Sequence, residues 1–213
     1  VLDSVILAGM VLPPGDSKLV QIMDAALADA ARRAGERLVC RPGCTQCCYG
    51  AFAINQLDVL RLRAGMEALR TGQPGVADAV ERRARLWIEE HGADFPGDLA
   101  TGLLGDSDAD RERFEEFANE AACPALDPAT GLCDLYDARP MTCRVFGPPV
   151  RVDAGSAEDR ALAHCELCFI GATLEQVAEC EMPVPAELEE NLIQECEREG
   201  LRGETVVAFA LAE

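Results

Sequence analysis

The chain has 213 residues, enough for one substantial hydrophobic core. No stretch of it approaches the roughly 18–20 uninterrupted apolar residues of a membrane span. Its 38 acidic against 19 basic residues give a formal net charge of −19, which repels phosphate backbones and argues against a nucleic-acid partner. Such a surface suits a cytoplasmic protein, or one that docks to a basic protein or redox partner.

Val1 to Met10 is apolar, but Asp3 interrupts it and no basic residue precedes it, so no secretory signal is expected. Ser17 to Ala34 reads as a helix, because Leu19, Ile22, Met23, Ala26, Leu27 and Ala30 recur at helical spacing. Asp16 and Ser17 are its N-cap candidates, and Gly35 marks its end. Arg41-Pro42-Gly43 suits a tight turn. The apolar run Tyr49 to Ile54 leads to Asn55, an N-cap for a second helix carrying Leu57, Leu60, Leu62, Met66 and Leu69.

Pro74, suited to a first helical turn, opens a third helix to about His91. Phe95 to Asp110 reads as a loop, and Arg111 to Ala121 as a short charged helix. Cys123 to Gly147 is rich in proline and glycine, so regular structure there should be scarce. Val152 to Ala163 gives no clear signal. Thr173 and Gln176 form a capping box for a helix to about Cys180, and Pro185 starts another to about Arg198, ended by Gly200. Thr205 to Leu211 reads as either helix or strand. No internal repeat is expected. The expected fold is mainly α: a single domain over 1–213 of short helices around a loop-rich cysteine and metal core at 36–170, with a C-terminal helical segment at 171–213.

Eleven cysteines in a chain with two histidines are its main chemical signal. Cys40, Cys44, Cys47 and Cys48 share one short loop, and gaps of two or three residues let a backbone loop aim several thiolates at one centre. A disulfide framework fits poorly, because the count is odd and the vicinal Cys47-Cys48 is awkward to pair. Side chains of neighbouring residues diverge, so Cys47 and Cys48 are expected to serve two centres, or one of them to stay outside the cluster. The three-residue gap also occurs in radical-SAM enzymes, but the strand and helix alternation of their barrel is absent.

A second constellation runs Cys123-Pro124-Ala125-Leu126, Gly131-Leu132-Cys133, Tyr136, Arg139-Pro140 and Cys143-Arg144. Together with the first loop it resembles the cysteine-cluster family named for its CxxCxxCC motif, proteins described as zinc- or iron-chelating. The likeness extends from Cys40 to about Cys168, and departs from the family's name in the first gap, which is three residues and not two. The resemblance implies eight metal-associated cysteines. Cys40, Cys44, Cys47, Cys48, Cys123, Cys133 and Cys143 match position by position, and the eighth is Cys165 or Cys168. Flagellin lysine N-methylases carry a similar cluster associated with iron and sulfur, but this sequence shows no glycine-rich strand–loop–helix for S-adenosylmethionine.

Arg139 and Arg144 flank Cys143, and with Tyr136 they are candidate contacts to a bound cofactor, since packed thiolates need positive charge or N–H donors around them. The plainer role for Arg139 is pairing with Asp134 or Asp137. His164 is a possible ligand or outer donor, while His91 suits a helix end and Cys180 and Cys196 suit burial. No residue stands out as catalytic. The leading expectation is an iron–sulfur protein with a redox or electron-transfer role, holding a 4Fe-4S cluster. The alternatives are a zinc-binding interaction module and a cluster-dependent enzyme that modifies a peptide or protein.

Overall fold

The computed structural model describes residues 11–152 and 161–212, so the reading of Val1 to Met10 and most of that of Val152 to Ala163 fall outside it. The described chain is mainly helical, with short antiparallel ladders of two strands each between the helices. Its contacts gather into two compact units. The first is chiefly Pro42–Pro140 joined by the chain from Ile193 onward; the second is Pro14–Arg41 with Met141–Leu192. Among the described residues no helix is long and apolar enough to cross a membrane.

Helix α1 (Asp16–Ala34) belongs to the second unit. It starts one residue before the expected position with Gly15 at the cap and no side-chain cap bond, so neither Asp16 nor Ser17 plays that part. It ends as expected at Gly35, which takes a positive φ of 56°. In the first unit, α2 (Gln56–Gly72) is capped by Asn55, whose side chain accepts from the Asp58 amide at 3.1 Å. Pro74 opens α3 (Pro74–His91) where its missing N–H costs nothing.

These two helices share a core of Val59, Leu62, Met66, Val80 and Ala84 with Val207 and Leu211, all buried. Within it the Arg61–Asp58 ion pair is buried at 2.6 Å, a geometry whose desolvation cost is offset only while both partners stay. The chain returns as β8 (Thr205–Val206) and α8 (Val207–Leu211), so the ambiguous segment is strand first and helix second. Strand β1 (Ala53–Ile54) pairs with β8, Ala53 opposite Val206.

The stretch read as a loop after Phe95 contains a hairpin of β2 (Gly97–Asp98) and β3 (Leu103–Leu104), followed by α4 (Asp108–Glu116), which starts and stops earlier than expected. A second hairpin, β4 (Leu126–Asp127) with β5 (Leu132–Cys133), lies inside the cysteine-rich segment. The two turns spell Asp98-Leu-Ala-Thr-Gly-Leu103 and Asp127-Pro-Ala-Thr-Gly-Leu132. They form the same bonds. In each, the aspartate accepts from the alanine amide (2.9 and 3.0 Å) and the threonine hydroxyl (3.0 and 2.6 Å), and the glycine takes a φ near +70°. This corrects the expectation of no repeat: a short turn module occurs twice, within strands too brief for periodicity to reveal.

In the second unit, α5 (Met141–Val145) packs against α1, and the buried Arg144 donates to Asp24 at 2.7 Å. Strands β6 (Val150–Val152) and β7 (Ala161–Ala163) pair. Helix α6 (Leu174–Ala178) carries the expected Thr173/Gln176 capping box; α7 (Ala186–Arg198), whose residues from Ile193 onward are assigned to the first unit, ends before Gly200, which has a φ of 91°.

Candidate metal centre

The unit boundaries at Arg41/Pro42 and Pro140/Met141 divide the cysteines. Cys44, Cys47, Cys48, Cys123 and Cys133 fall in the first unit; Cys40, Cys143, Cys165 and Cys168 fall in the second. The unit boundary thus falls within the four-cysteine loop, between Cys40 and Cys44. Its vicinal pair stays together.

Cys47 and Cys48 lie on a single 3-10 turn, Gln46–Cys48, closed by the Cys48 amide donating to the Thr45 carbonyl at 2.8 Å. The turn is tied to Cys123 through the Cys123 amide, which donates to the Cys48 carbonyl at 2.7 Å, and through the bridge of Tyr49 with Ala122. Cys133 lies on β5 directly opposite Leu126, three residues after Cys123. One backbone bond and one ladder therefore carry Cys48, Cys123 and Cys133 to the same place.

The electrostatics are those of neighbouring thiols. The Cys48 thiol donates to the Cys47 sulfur, which, aided by its own amide and the Arg139 charge, lowers Cys47 to about 6. The same bond pushes Cys48 up, as do burial and the neighbouring Cys47, Cys123 and Cys133. Burial raises Cys123 to about 12, against the pull of N–H donors from Ala125 and Leu126 to its sulfur. Cys133 is also raised by burial, with the Leu135 amide pulling the other way. Four thiols that resist ionising together, with amide donors already aimed at three of them, form a donor set suited to a soft cation.

Arg139 has a role the sequence left open. Its guanidinium stacks 3.9 Å over the Tyr136 ring and donates to the Tyr136 carbonyl at 2.8 Å, while its charge favours the thiolates of Cys47 and Cys133. The Asp134 carboxylate pairs with Arg83 of α3 at 2.6 Å, and the Arg83 Nε also donates to the Pro124 carbonyl at 2.8 Å. Arg83 so clamps the residues next to Cys123 and Cys133, and sequence reasoning missed it because it sits on a helix far along the chain. Arg144 belongs to the second unit, where it donates to Asp24.

In the second unit Cys40 is exposed, Cys143 half-buried and Cys165 and Cys168 buried, with Cys40 Sγ 3.9 Å from Cys168 Sγ. His164 Nδ1 lies 3.0 Å from the Cys165 carbonyl. His91 stacks on Trp87, with ring centroids 4.8 Å apart, and Cys180 and Cys196 are buried at 2 % and 3 % exposure. Among the described residues no three Cys, His, Asp or Glu side chains stand poised around one ion.

Helices support short loops that collect thiols, N–H donors to sulfur and a buried cation, an arrangement suited to binding a soft metal ion. The chain belongs to the CxxCxxCC family, described as a putative zinc- or iron-chelating domain, whose model matches residues 39–168. No curated protein and no solved structure matches the chain.

Proposed function

We propose that the chain is an iron–sulfur protein in which Cys47, Cys48, Cys123 and Cys133 hold one 4Fe-4S cluster, and that it serves as an electron carrier or redox partner. The supporting observation is the vicinal pair within one four-thiol group. A single tetrahedral ion needs all four sulfurs about 2.3 Å from one point, which adjacent residues satisfy only with strain. A cluster offers separate iron atoms, and neighbouring thiolates can each take a different one. When bound, such a cluster would accept and return an electron. The amides of Ala125, Leu126 and Leu135 and the Arg139 charge would favour the more negative, reduced state and so raise its potential. The net charge of −19 suits a basic protein partner.

Zinc is the second reading, favoured by the N–H donors at Cys123 and Cys133 on the two flanks of one hairpin, which serve Zn²⁺ equally well. It would then be structural, organising the cysteine-rich segment for protein contacts. Anaerobic purification with iron, acid-labile sulfide and zinc quantified decides between them. A brown protein with iron and sulfide in equal amounts is expected. A colourless protein with stoichiometric zinc overturns the cluster in favour of the second reading, and a protein without metal overturns both.

A further inference from the structure

We infer that the second unit carries a docking surface for a basic protein, made of Leu167, Ile170 and Leu174 and flanked by Glu166, Glu175 and Glu179. It gives a location to the redox partner proposed above, and rests on that reading only for the existence of a basic partner.

Ile170 and Leu174 are 82 % and 88 % exposed, more than any other large apolar side chain among the described residues of the second unit, and Leu167 is 40 % exposed. Single exposed apolar residues are ordinary. Three within eight positions, rimmed by polar groups, mark a contact with another protein.

The backbone fixes this exposure. Phe169 takes a φ of 57°, a left-handed conformation that is costly for a bulky residue. Three contacts hold it there. Its amide donates to the Arg37 carbonyl at 2.8 Å, its carbonyl accepts from the Ala172 amide at 3.0 Å, and its ring stacks on His164 with centroids 5.3 Å apart. Phe169 and Cys168 are thereby buried with Ala34 and Val177, while Ile170 between Phe169 and Gly171 is left in solvent. Leu174 is the first residue of α6 and is held in place by the Thr173/Gln176 capping box. Strain that buries one large apolar residue and exposes the next does nothing for an isolated fold, and such strain gathers at functional sites.

The charge around the patch selects its occupant. From Ala161 to Leu192 the chain has seven glutamates and no lysine or arginine. Glu166, Glu175 and Glu179 are exposed beside the apolar residues. Two arginines reach this stretch, and their ion pairs lie outside the patch. Arg151 binds the Glu181 carboxylate at 2.9 Å, and Arg33 pairs with Asp29 of its own helix while donating to the Glu179 and Glu181 carbonyls. An acidic rim repels a second copy of this acidic chain and an anionic membrane. It matches a protein whose aliphatic contact is ringed by lysine or arginine, the usual plan of an apolar interface centre with a charged edge.

The test titrates two dye-labelled synthetic peptides of equal positive charge against the full-length chain, one combining lysine with leucine, the other lysine with serine. Fluorescence anisotropy reads the binding. The lysine–leucine peptide should bind about tenfold more tightly or better, and less tightly as salt rises. Ile170→Ser/Leu174→Ser should remove that preference, with circular dichroism unchanged because both side chains are exposed. Glu175→Gln/Glu179→Gln should weaken both peptides about two- to fivefold. Leu86→Ser, at a 56 % exposed site on α3 of the first unit, should change nothing. Equal binding of the two peptides, an unchanged preference in Ile170→Ser/Leu174→Ser, or an equal loss in Leu86→Ser overturns the inference. So does a wild-type dimer in light scattering that Ile170→Ser/Leu174→Ser dissociates, since a second copy then covers the patch. Iron, sulfide and zinc measured on the same preparations keep the two readings apart. A metal-free chain that retains the peptide preference overturns the proposed function and leaves this surface standing, and a metal-loaded chain without the preference does the reverse.

Discussion

The hairpins at Gly97–Leu104 and Leu126–Cys133 are the same turn in two settings. Past the shared Asp-x-Ala-Thr-Gly-Leu, one continues into Leu104 and the other into Cys133. The closing bond is repeated as well: the Gly105 amide donates to the Pro96 carbonyl at 3.0 Å, and the Asp134 amide to the Ala125 carbonyl at 2.8 Å. The first hairpin is secured by packing. The aromatic cluster of Trp87, Phe95 and Phe117 takes in Leu104, and the tip rests against Phe209 and bonds to Thr205. The second packs on a largely aliphatic cluster, with Phe52 at its margin. Cys123 and Cys133 pack at the edge of that cluster, and Arg83 ties down the residues beside them. One turn module can therefore present an apolar packing side chain or a thiol, according to the residue two positions past its glycine, and under the function proposed above that thiol is a ligand.

The sharpest way to break this comparison is to remove that side chain from each hairpin. Cys133→Ala should abolish stoichiometric metal in the first group while leaving the apo chain near wild-type stability. Leu104→Ala, at a half-buried site, should cost about 1–2 kcal/mol and leave metal content unchanged. Metal analysis and chemical denaturation of both variants check this, and equal metal loss in the two would erase the distinction.

Glycine substitutions separate the two tips next. Both glycines have φ near +70°, so alanine at either should cost about 1–2 kcal/mol in backbone strain. At Gly102 a Cβ would also lie 2.7 Å from the Phe209 ring, whereas at Gly131 it meets only ordinary contacts at 3.7 Å with Gly43 and Thr45. Gly102→Ala should therefore be the more destabilising by about 1–3 kcal/mol, as overpacking is. Gly131→Ala should weaken metal binding more than Gly102→Ala does, because its neighbours belong to the cysteine loop. Paired thermal melts and metal titrations read both effects. Arg83→Ala should then lower metal affinity in the first group by roughly 10–100-fold, the usual effect of losing a residue that orients ligands.

Much of this molecule was legible in its sequence. The second and third helices follow from apolar spacing, the Asn55 cap and Pro74, and the Thr173/Gln176 capping box is where it was expected. The hairpins were not legible from periodicity, because strands of two residues have none. Their signal lay in the side chains, in the paired Asp and Thr-Gly at fixed spacing. The cysteines themselves were legible, but their division was not. It depends on where the chain leaves one packed unit for another, at Arg41/Pro42 and Pro140/Met141, and that is decided by long-range packing. For the same reason Arg83 was missed, its partners at Pro124 and Asp134 lying 41 and 51 positions away.

The smallest expected effect is the most direct test that the two turns are alike. Asp98 is held below the usual carboxylate range by the Ala100 amide and the Thr101 hydroxyl, and Asp127 by the Thr130 hydroxyl and the Ala129 amide, with Arg83 adding its charge only to Asp127. A carboxylate whose pKa is lower in the folded than in the unfolded chain stabilises the fold once pH exceeds the unfolded value of about 3.9. That contribution fades as pH falls through the lower folded value. Asparagine keeps an oxygen for the alanine amide but cannot titrate. In the metal-free chain Asp98→Asn and Asp127→Asn should therefore each lose a similar small amount of stability at neutral pH, and the loss should vanish in acid below both pKa values. Asp98 is exposed and Asp127 half-buried, so high salt should reduce the Arg83 contribution to Asp127 and bring the two variants closer together. With metal restored, Asp127→Asn should loosen its binding and Asp98→Asn should not; a matching loss at Asp98 would show that the first hairpin also supports the centre.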